Sequence, residues 1–279
     1  MIIKCGIDTK GDIVGWDQVV AAQSFFANTP MAAMGIKNGI DDSIVEGAAK
    51  SSYAWPAYRV GCHVMENGVP TLWWRSVGNT HTAYAVETFM DELLALGGKD
   101  AVKGRLALMK EERAKGVLAR VAELADWGRK PADGRAFGVA MHKSFDSYVA
   151  QVAEVSKGAD GLPKVHKVWV AVDCGIAVNP NVVRAQMEGC IGYGLGAALY
   201  GEVTLGEGGR VEQSNFDTYR SLRISEMPAV EVAIIKSAEK PTGVGEPGLP
   251  PLAPAVANAW RALTGRAVRR LPFAHGDNA

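Results

Sequence analysis

The 279-residue sequence has no excess of either charge: thirty Lys and Arg are matched by thirty Asp and Glu. A protein that tracks phosphate backbones needs a basic excess or stripe, so no nucleic-acid partner is expected. The arginine-rich stretch from Arg261 to Arg270 reads as a solvated face. Cysteine is scarce as well. Cys5, Cys62, Cys174 and Cys190 form no C-x-x-C pair and no spacing that suits zinc or an iron–sulfur cluster. Buried free thiols are therefore expected rather than a disulfide scaffold. The histidines, at 63, 81, 142, 166 and 275, include no H-x-x-x-H pair, so no metal ligands are expected among the side chains. Long apolar runs are missing too. The longest, Cys190 to Tyr200, spans eleven residues, whereas a bilayer needs about 20. Met1-Ile-Ile-Lys-Cys-Gly6 lacks the three-part pattern of a signal peptide. The expectation is a soluble chain of the cytoplasm or periplasm.

What is present suits a globular protein with a real core: 48% hydrophobic and 22% charged residues. Short strand-like runs occur at Ile2-Ile3, Ile13–Trp16 and Gln18–Ala21. Tyr58–Val64 and Thr71–Trp74 read as a strand pair joined through Asn67-Gly68, a strong turn signal. A helix capped by Asn79 or Thr80 starts near His81, buries Ala85, Phe89, Leu93 and Leu94, and ends at Gly97-Gly98. A second helical stretch covers Val102 to Trp127, with Gly116 and Gly128 dividing and ending it. The Val-, Tyr- and Trp-rich runs Phe137–Val155 and Val165–Val172 read as two long antiparallel strands. Asn179 caps a helix from Pro180 to about Leu199, with proline at its first position. Val211–Gln213 and Ala229–Ile235 are expected strands, and Ala253–Thr264 a closing helix ended by Gly265. The irregular alternation of strands and helices predicts an α+β fold rather than a parallel doubly wound sheet.

Three segments could carry chemistry. In Gly243-Val-Gly-Glu-Pro-Gly248, Pro247 biases Glu246 toward extended backbone, and the glycines let the chain pass close to something bulky. Two readings are open: a solvated turn, or a fixed and partly desolvated carboxylate suited to general-base work. The helix after Asn179 places Gly189, Gly192 and Gly196 on one face, by spacings of three and four. That face admits either another backbone or a flat ligand, and Gln186 one turn earlier offers amide groups to a heterocycle's edge. Trp73-Trp-Arg-Ser-Val-Gly78 could present a guanidinium and an amide to a phosphate or pterin, or its tryptophans could be plain core.

Together these segments resemble the molybdopterin-binding subunit of the xanthine dehydrogenase and aldehyde oxidase family, in particular the isoquinoline 1-oxidoreductase type. The matching phrases are Trp74–Gly78, Ser144–Glu154, Val172–Pro180, Arg184–Gly189, Leu199–Glu202 and Gly243–Gly248, and the likeness runs from about residue 50 to 273. The resemblance implies a molybdopterin-binding fold of mixed and antiparallel sheets with packed helices. It makes residues 1–130 the first part of the molybdopterin-binding region and 131–279 a C-terminal domain carrying the catalytic glutamate. Glu246 matches the glutamate that takes a proton from a molybdenum-bound hydroxyl during hydroxylation of an N-heteroaromatic or aldehyde carbon. Arg75, Ser76, Gly78, Gln186, Gly243 and Gly245 match residues lining the cofactor pocket. The implied cofactor is molybdopterin in its cytidine dinucleotide form, held through its dithiolene rather than by protein ligands. Iron–sulfur clusters on a partner subunit would carry the electrons away. Such subunits are longer and carry upstream loops of the Gly-Gly-Phe-Gly and Met-Gly-Gln-Gly kinds, neither of which occurs here. The chain is thus expected to be the C-terminal part of the subunit and to need the upstream half for a complete pocket. A non-catalytic structural or assembly module, or an inactive fragment, on the same fold is the alternative.

Overall fold

The computed structural model describes residues 1–27, 29–69 and 71–275. Strand β1 (Ile2–Ile7) pairs antiparallel with β2 (Ile13–Gln23). A short helix α1 (Ala32–Gly35), a two-residue hairpin pair β3 (Ile36–Lys37) and β4 (Ile40–Asp41), and helix α2 (Asp42–Val45) follow. Strand β5 (Tyr58–Met65) then joins β2 in parallel, from Trp16 opposite Tyr58 to Gln23 opposite Met65. The expected hairpin to Thr71–Trp74 does not form. The Gln23 side chain accepts from the Asn67 amide at 3.2 Å and donates to the Val69 carbonyl at 2.8 Å. The turn backbone is thereby tied to the end of β2 instead of a returning strand, and Trp73 packs near Phe25 and Phe26.

Helix α3 (Gly78–Leu96) stops at Gly97 as expected. The expected single helical stretch is two helices, α4 (Ala101–Leu108) and α5 (Glu112–Leu124), and the break falls at Met109–Glu111 rather than at Gly116. There Tyr53 bridges to Met109 and the Lys110 amide donates to the Ser52 carbonyl, so a tertiary contact takes hydrogen bonds the helix would have used.

The main sheet runs β6 (Arg135–Ser144), β7 (Ser147–Lys157), β8 (Pro163–Asp173) and β9 (Ala229–Ile234), antiparallel except for the β8–β9 pair. The run 137–155 is therefore a hairpin, not one strand. Its turn, Phe145-Asp146, has positive φ at both residues (51° and 58°), the backbone of a tight hairpin turn, made here without glycine or asparagine. Both faces of this sheet are covered. Val139, Met141, Ala150, Val152, Trp169 and Ala171 face a core shared with α3, α4 and α5. The alternating residues Ala140, Val149, Ala153, Val168, Val170 and Val172 face a core shared with helices α6 (Pro180–Leu199) and α7 (Leu252–Thr264). Burial on both faces is why these strands read as continuous apolar runs. Gly138 admits α7 closely: a Cβ there would lie 2.1 Å from the Ala259 nitrogen. The expected strand at 211–213 is only an isolated bridge between Leu205 and Val211. The mixed sheets and packed helices are the α+β arrangement expected from sequence. Among the described residues no helix is long and apolar enough to cross a membrane.

Candidate functional site

The segment 242–248 crosses the end of the main sheet just before α7, and three sets of contacts hold it. From β7, Ser147 Oγ donates to the Gly243 carbonyl at 2.7 Å and lies 2.7 Å from Thr242 Oγ1. Further along β7, buried Gln151 donates through Nε2 to the Gly248 carbonyl at 2.6 Å. From the Val172–Pro180 phrase, the Cys174 carbonyl accepts from Thr242 N at 2.9 Å. That phrase is itself anchored. Asp173 receives Arg113 through Nε at 2.8 Å and Nη2 at 2.7 Å, and the Gly175 amide at 2.9 Å. Burial alone would raise the Asp173 pKa, but these donors hold it below the ordinary carboxylate value.

The third set comes from the stretch before α3. Ser76 N donates to Glu246 Oε1 at 2.9 Å, and Ser76 Oγ donates to the Glu246 carbonyl at 2.8 Å. The Leu249 amide reaches the same carbonyl at 2.9 Å and closes a turn with Pro247 in its second position. Ser76 is fully buried, and both it and Val77 have positive φ, 73° and 48°. Left-handed backbone costs a non-glycine residue about 1–3 kcal/mol and persists only where the surroundings impose it. Here it turns the Ser76 amide onto the Glu246 carboxylate. No other hydrogen bond to that carboxylate is formed among the described residues, which leaves Oε2 open.

Arg75 joins the same loop to α6. Its Nε donates to the Gly245 carbonyl at 2.7 Å, Nη2 donates to the same oxygen, and Nη2 also reaches Gln186 Oε1 at 3.0 Å. Beneath the loop, Cys190 Sγ lies 3.6 Å from the Gly245 carbonyl and 3.7 Å from that of Glu246. Burial pushes this thiol's pKa to about 11, against a smaller opposing effect of Arg75, so it stays protonated as a weak donor.

Arg75, Ser76, Gln186, Gly243, Gly245 and Glu246 are thus gathered in one place. Gly78 lies differently: it is buried, and a Cβ on it would sit 1.9 Å from the Ser43 carbonyl oxygen. The glycine face of α6 is mostly used for packing. Gly192 meets Met227 and Gly196 meets Leu222, while Gly189 stays exposed beside Arg75. The sequence alone assigns no role to Ser147 or Gln151. Their signal was a hydroxyl and an amide inside an otherwise apolar strand pattern. A cavity of about 600 Å³ lined by Met1, His81, Tyr84, Phe89 and Leu271 lies elsewhere along α3 and contains none of the loop residues.

The donor set suits a flat, hydrogen-bonding heterocycle. Gln186 Nε2 and Arg75 Nη1 have no acceptor among the described residues. Gly243 and Gly245 are exposed, and a Cβ on Gly245 would meet only Gln186 Oε1, at 3.9 Å. Free donors beside bare backbone are what an edge-on pterin would need.

Residues 82–228 match a family described as "Molybdopterin cofactor-binding domain", so Arg75–Ser76 and Gly243–Glu246 flank the matched span on either side. The chain is 34% identical over 227 residues to isoquinoline 1-oxidoreductase subunit beta of Brevundimonas diminuta, covering 80% of this chain and 29% of that one. It is 29% identical over 291 residues to a membrane-bound aldehyde dehydrogenase (pyrroloquinoline-quinone) of Gluconacetobacter polyoxogenes, covering 94% of this chain and 36% of that one. The chain therefore spans only about a third of these relatives. Its fold matches quinoline 2-oxidoreductase from Pseudomonas putida 86 with a TM-score of 0.78 at 11% identity, over 97% of this chain and 60% of that one.

Proposed function

The chain belongs to the molybdopterin cofactor-binding domain family of the xanthine dehydrogenase and aldehyde oxidase type, and on that premise we propose that it forms the base-carrying part of a molybdenum hydroxylase, with Glu246 as general base. The observation that carries this reading is the clamp of Ser76 on Glu246, which fixes one carboxylate oxygen and leaves the other open. A general base has to be held in one orientation within hydrogen-bond reach of the proton it removes. With Oε1 held by a backbone amide, Oε2 is the atom that takes the proton, and the Ser76 bond survives that step because the amide needs only an acceptor.

The cofactor would be held along Gln186, Arg75, Gly243 and Gly245, with Gln186 Nε2 and Arg75 Nη1 as donors to the pterin. When bound, it supplies a two-electron acceptor and a water-derived oxygen for an electron-poor carbon of an N-heteroaromatic or an aldehyde. The protein's own share is orientation and electrostatics. The open face above Gly243 and Gly245 calls for a further wall, which we assign to the upstream half of the subunit. Within this reading the cofactor is the cytidine dinucleotide form, electrons leave through iron–sulfur clusters on a partner subunit, residues 1–130 form the first part of the cofactor-binding region, and 131–279 the domain that presents the base.

Coexpression with the upstream half and the iron–sulfur subunit tests the proposal. The expected result is molybdenum stoichiometric with the chain, and release of cytidine monophosphate on acid hydrolysis. A folded complex without molybdenum would contradict it and favour an assembly module.

A further inference from the structure

The cavity of about 600 Å³ along α3, apart from the 242–248 loop, lies on the seam between the two cores. Ile3 and Phe89 on its wall pack against the core shared with α3, α4 and α5. Val268 and Leu271 go with the core shared with α6 and α7. Ala85 of α3 and Ala253 of α7 also line it, and their short side chains leave the seam unfilled. Protein interiors are close-packed, with few voids larger than a water molecule. A gap of this size falls within the range of pockets that enclose small molecules, about 300–1,000 Å³, and an apolar wall with a few polar groups is their usual make-up.

The polar groups on the wall decide what it can take. Its hydroxyl donors are already spent. Thr80 Oγ1 donates to the Arg75 carbonyl at 2.9 Å, Thr88 Oγ1 to the Tyr84 carbonyl at 2.7 Å, and Tyr84 Oη to the Val268 carbonyl at 3.0 Å. Arg269 is held by Glu92 through both terminal nitrogens. His81 Nε2 lies 3.1 Å from the Ile44 carbonyl. A carbonyl only accepts, so Nε2 carries the proton. Burial lowers the pKa of this ring, which therefore stays neutral at neutral pH and keeps a lone pair on Nδ1. No group among the described residues donates to that nitrogen, and it is not one of the closed-off polar atoms of the interior. What the hydroxyls and the imidazole still offer an occupant is acceptors, the Nδ1 lone pair foremost.

We propose that this cavity is a small-molecule site distinct from the cofactor surface, and that it takes an apolar aromatic molecule carrying one O–H or N–H donor, which His81 Nδ1 accepts. Phe89 and Tyr84 supply aromatic surface for the ring, and His81 fixes its orientation. A ring of the same shape without the donor leaves the lone pair unmet and binds more weakly. A carboxylate, which only accepts, finds no partner in His81. The site shares no residue with the 242–248 loop, so the inference stands whether or not Glu246 is the base.

The experiment is a fluorescence titration of the full chain with 2-naphthol and with 2-methoxynaphthalene, which has the same rings and no donor. The expected result is a single site that holds 2-naphthol about tenfold more tightly, the net worth of one hydrogen bond. The ¹⁵N resonance of His81 Nδ1 is expected to move upfield as 2-naphthol binds. His81→Phe should bring the two affinities together. Ala85→Trp should fill the cavity and abolish binding of both probes, a reading that stands if His81→Phe does not fold. Three results would overturn the proposal: no binding of 2-naphthol, equal affinities for the two probes in the native chain, or binding undiminished in folded Ala85→Trp. The same titration on the complex with the upstream half separates a ligand site from a seam between parts of the subunit. Retained 2-naphthol binding supports the site, and loss of binding there would overturn it in favour of the seam.

Discussion

The backbone amide of Ser76 donates to Glu246 Oε1 at 2.9 Å, joining residues 170 positions apart in sequence. The serine hydroxyl makes a second bond to the same residue's carbonyl. In Ser76→Ala the amide contact remains and the hydroxyl is lost. Because Leu249 N still serves that carbonyl, the expected loss of stability is about 1 kcal/mol, the net worth of one hydrogen bond. Urea unfolding measures it. A loss above about 3 kcal/mol would show that the hydroxyl organises more than this loop.

Much of this arrangement was legible in the sequence. Asn179-Pro180 announced α6, and the Asn179 side chain does accept from the Asn181 and Val182 amides. Gly265, with φ of 75°, ends α7 where it was expected. Glu246, Arg75 and Gln186 were singled out from their phrases and are found together. The illegible parts have physical causes. The turn at Phe145-Asp146 carries no glycine, so the hairpin looked like one strand. β5 pairs in parallel with a strand about forty residues earlier, a pairing no local turn signal can report.

Arg75 uses the planar fork of its guanidinium to reach Gly245 and Gln186 at once. An ammonium cannot reproduce that geometry. Arg75→Lys is therefore expected to fold normally and to lower the molybdenum content of the assembled complex several-fold. Metal analysis at matched protein concentration checks this. Native metal content in the variant would show that the cofactor does not depend on the fork.

Arg105 is fully buried and meets Glu87 at 2.9 Å and Asp91 at 3.0 Å. Tyr53 Oη also donates to Glu87, at 2.6 Å. Arg105→Met would leave buried Glu87 without its cation, while Asp91 keeps Arg261 at 2.8 Å; stranding one buried carboxylate in this way costs about 3–5 kcal/mol. Denaturant unfolding should register a loss of that size. A variant within about 1 kcal/mol of the native protein would mean that Glu87 takes up a proton and accommodates the change.

Stability should also depend on pH through His142. Burial lowers its pKa to about 4, from an ordinary value of 6.5. The folded state thus prefers the neutral ring. Its contribution is present above pH 6.5 and is lost as pH falls from there toward 4, on the order of 3 kcal/mol in all. Burial also lowers the pKa of His81 and His166, so the comparison needs a variant. His142→Gln should lose less stability than the native protein between pH 7 and pH 5, by about 2 kcal/mol. Parallel losses in the two proteins would contradict a buried neutral ring.

Turnover by Glu246→Gln in the assembled, molybdenum-loaded complex is the most direct test of Glu246 as the base. Glutamine keeps the shape and an oxygen for the Ser76 amide but cannot take a proton. The expected result is molybdenum content close to native with turnover abolished. Near-native turnover at equal metal content would contradict the assignment of Glu246 as the general base.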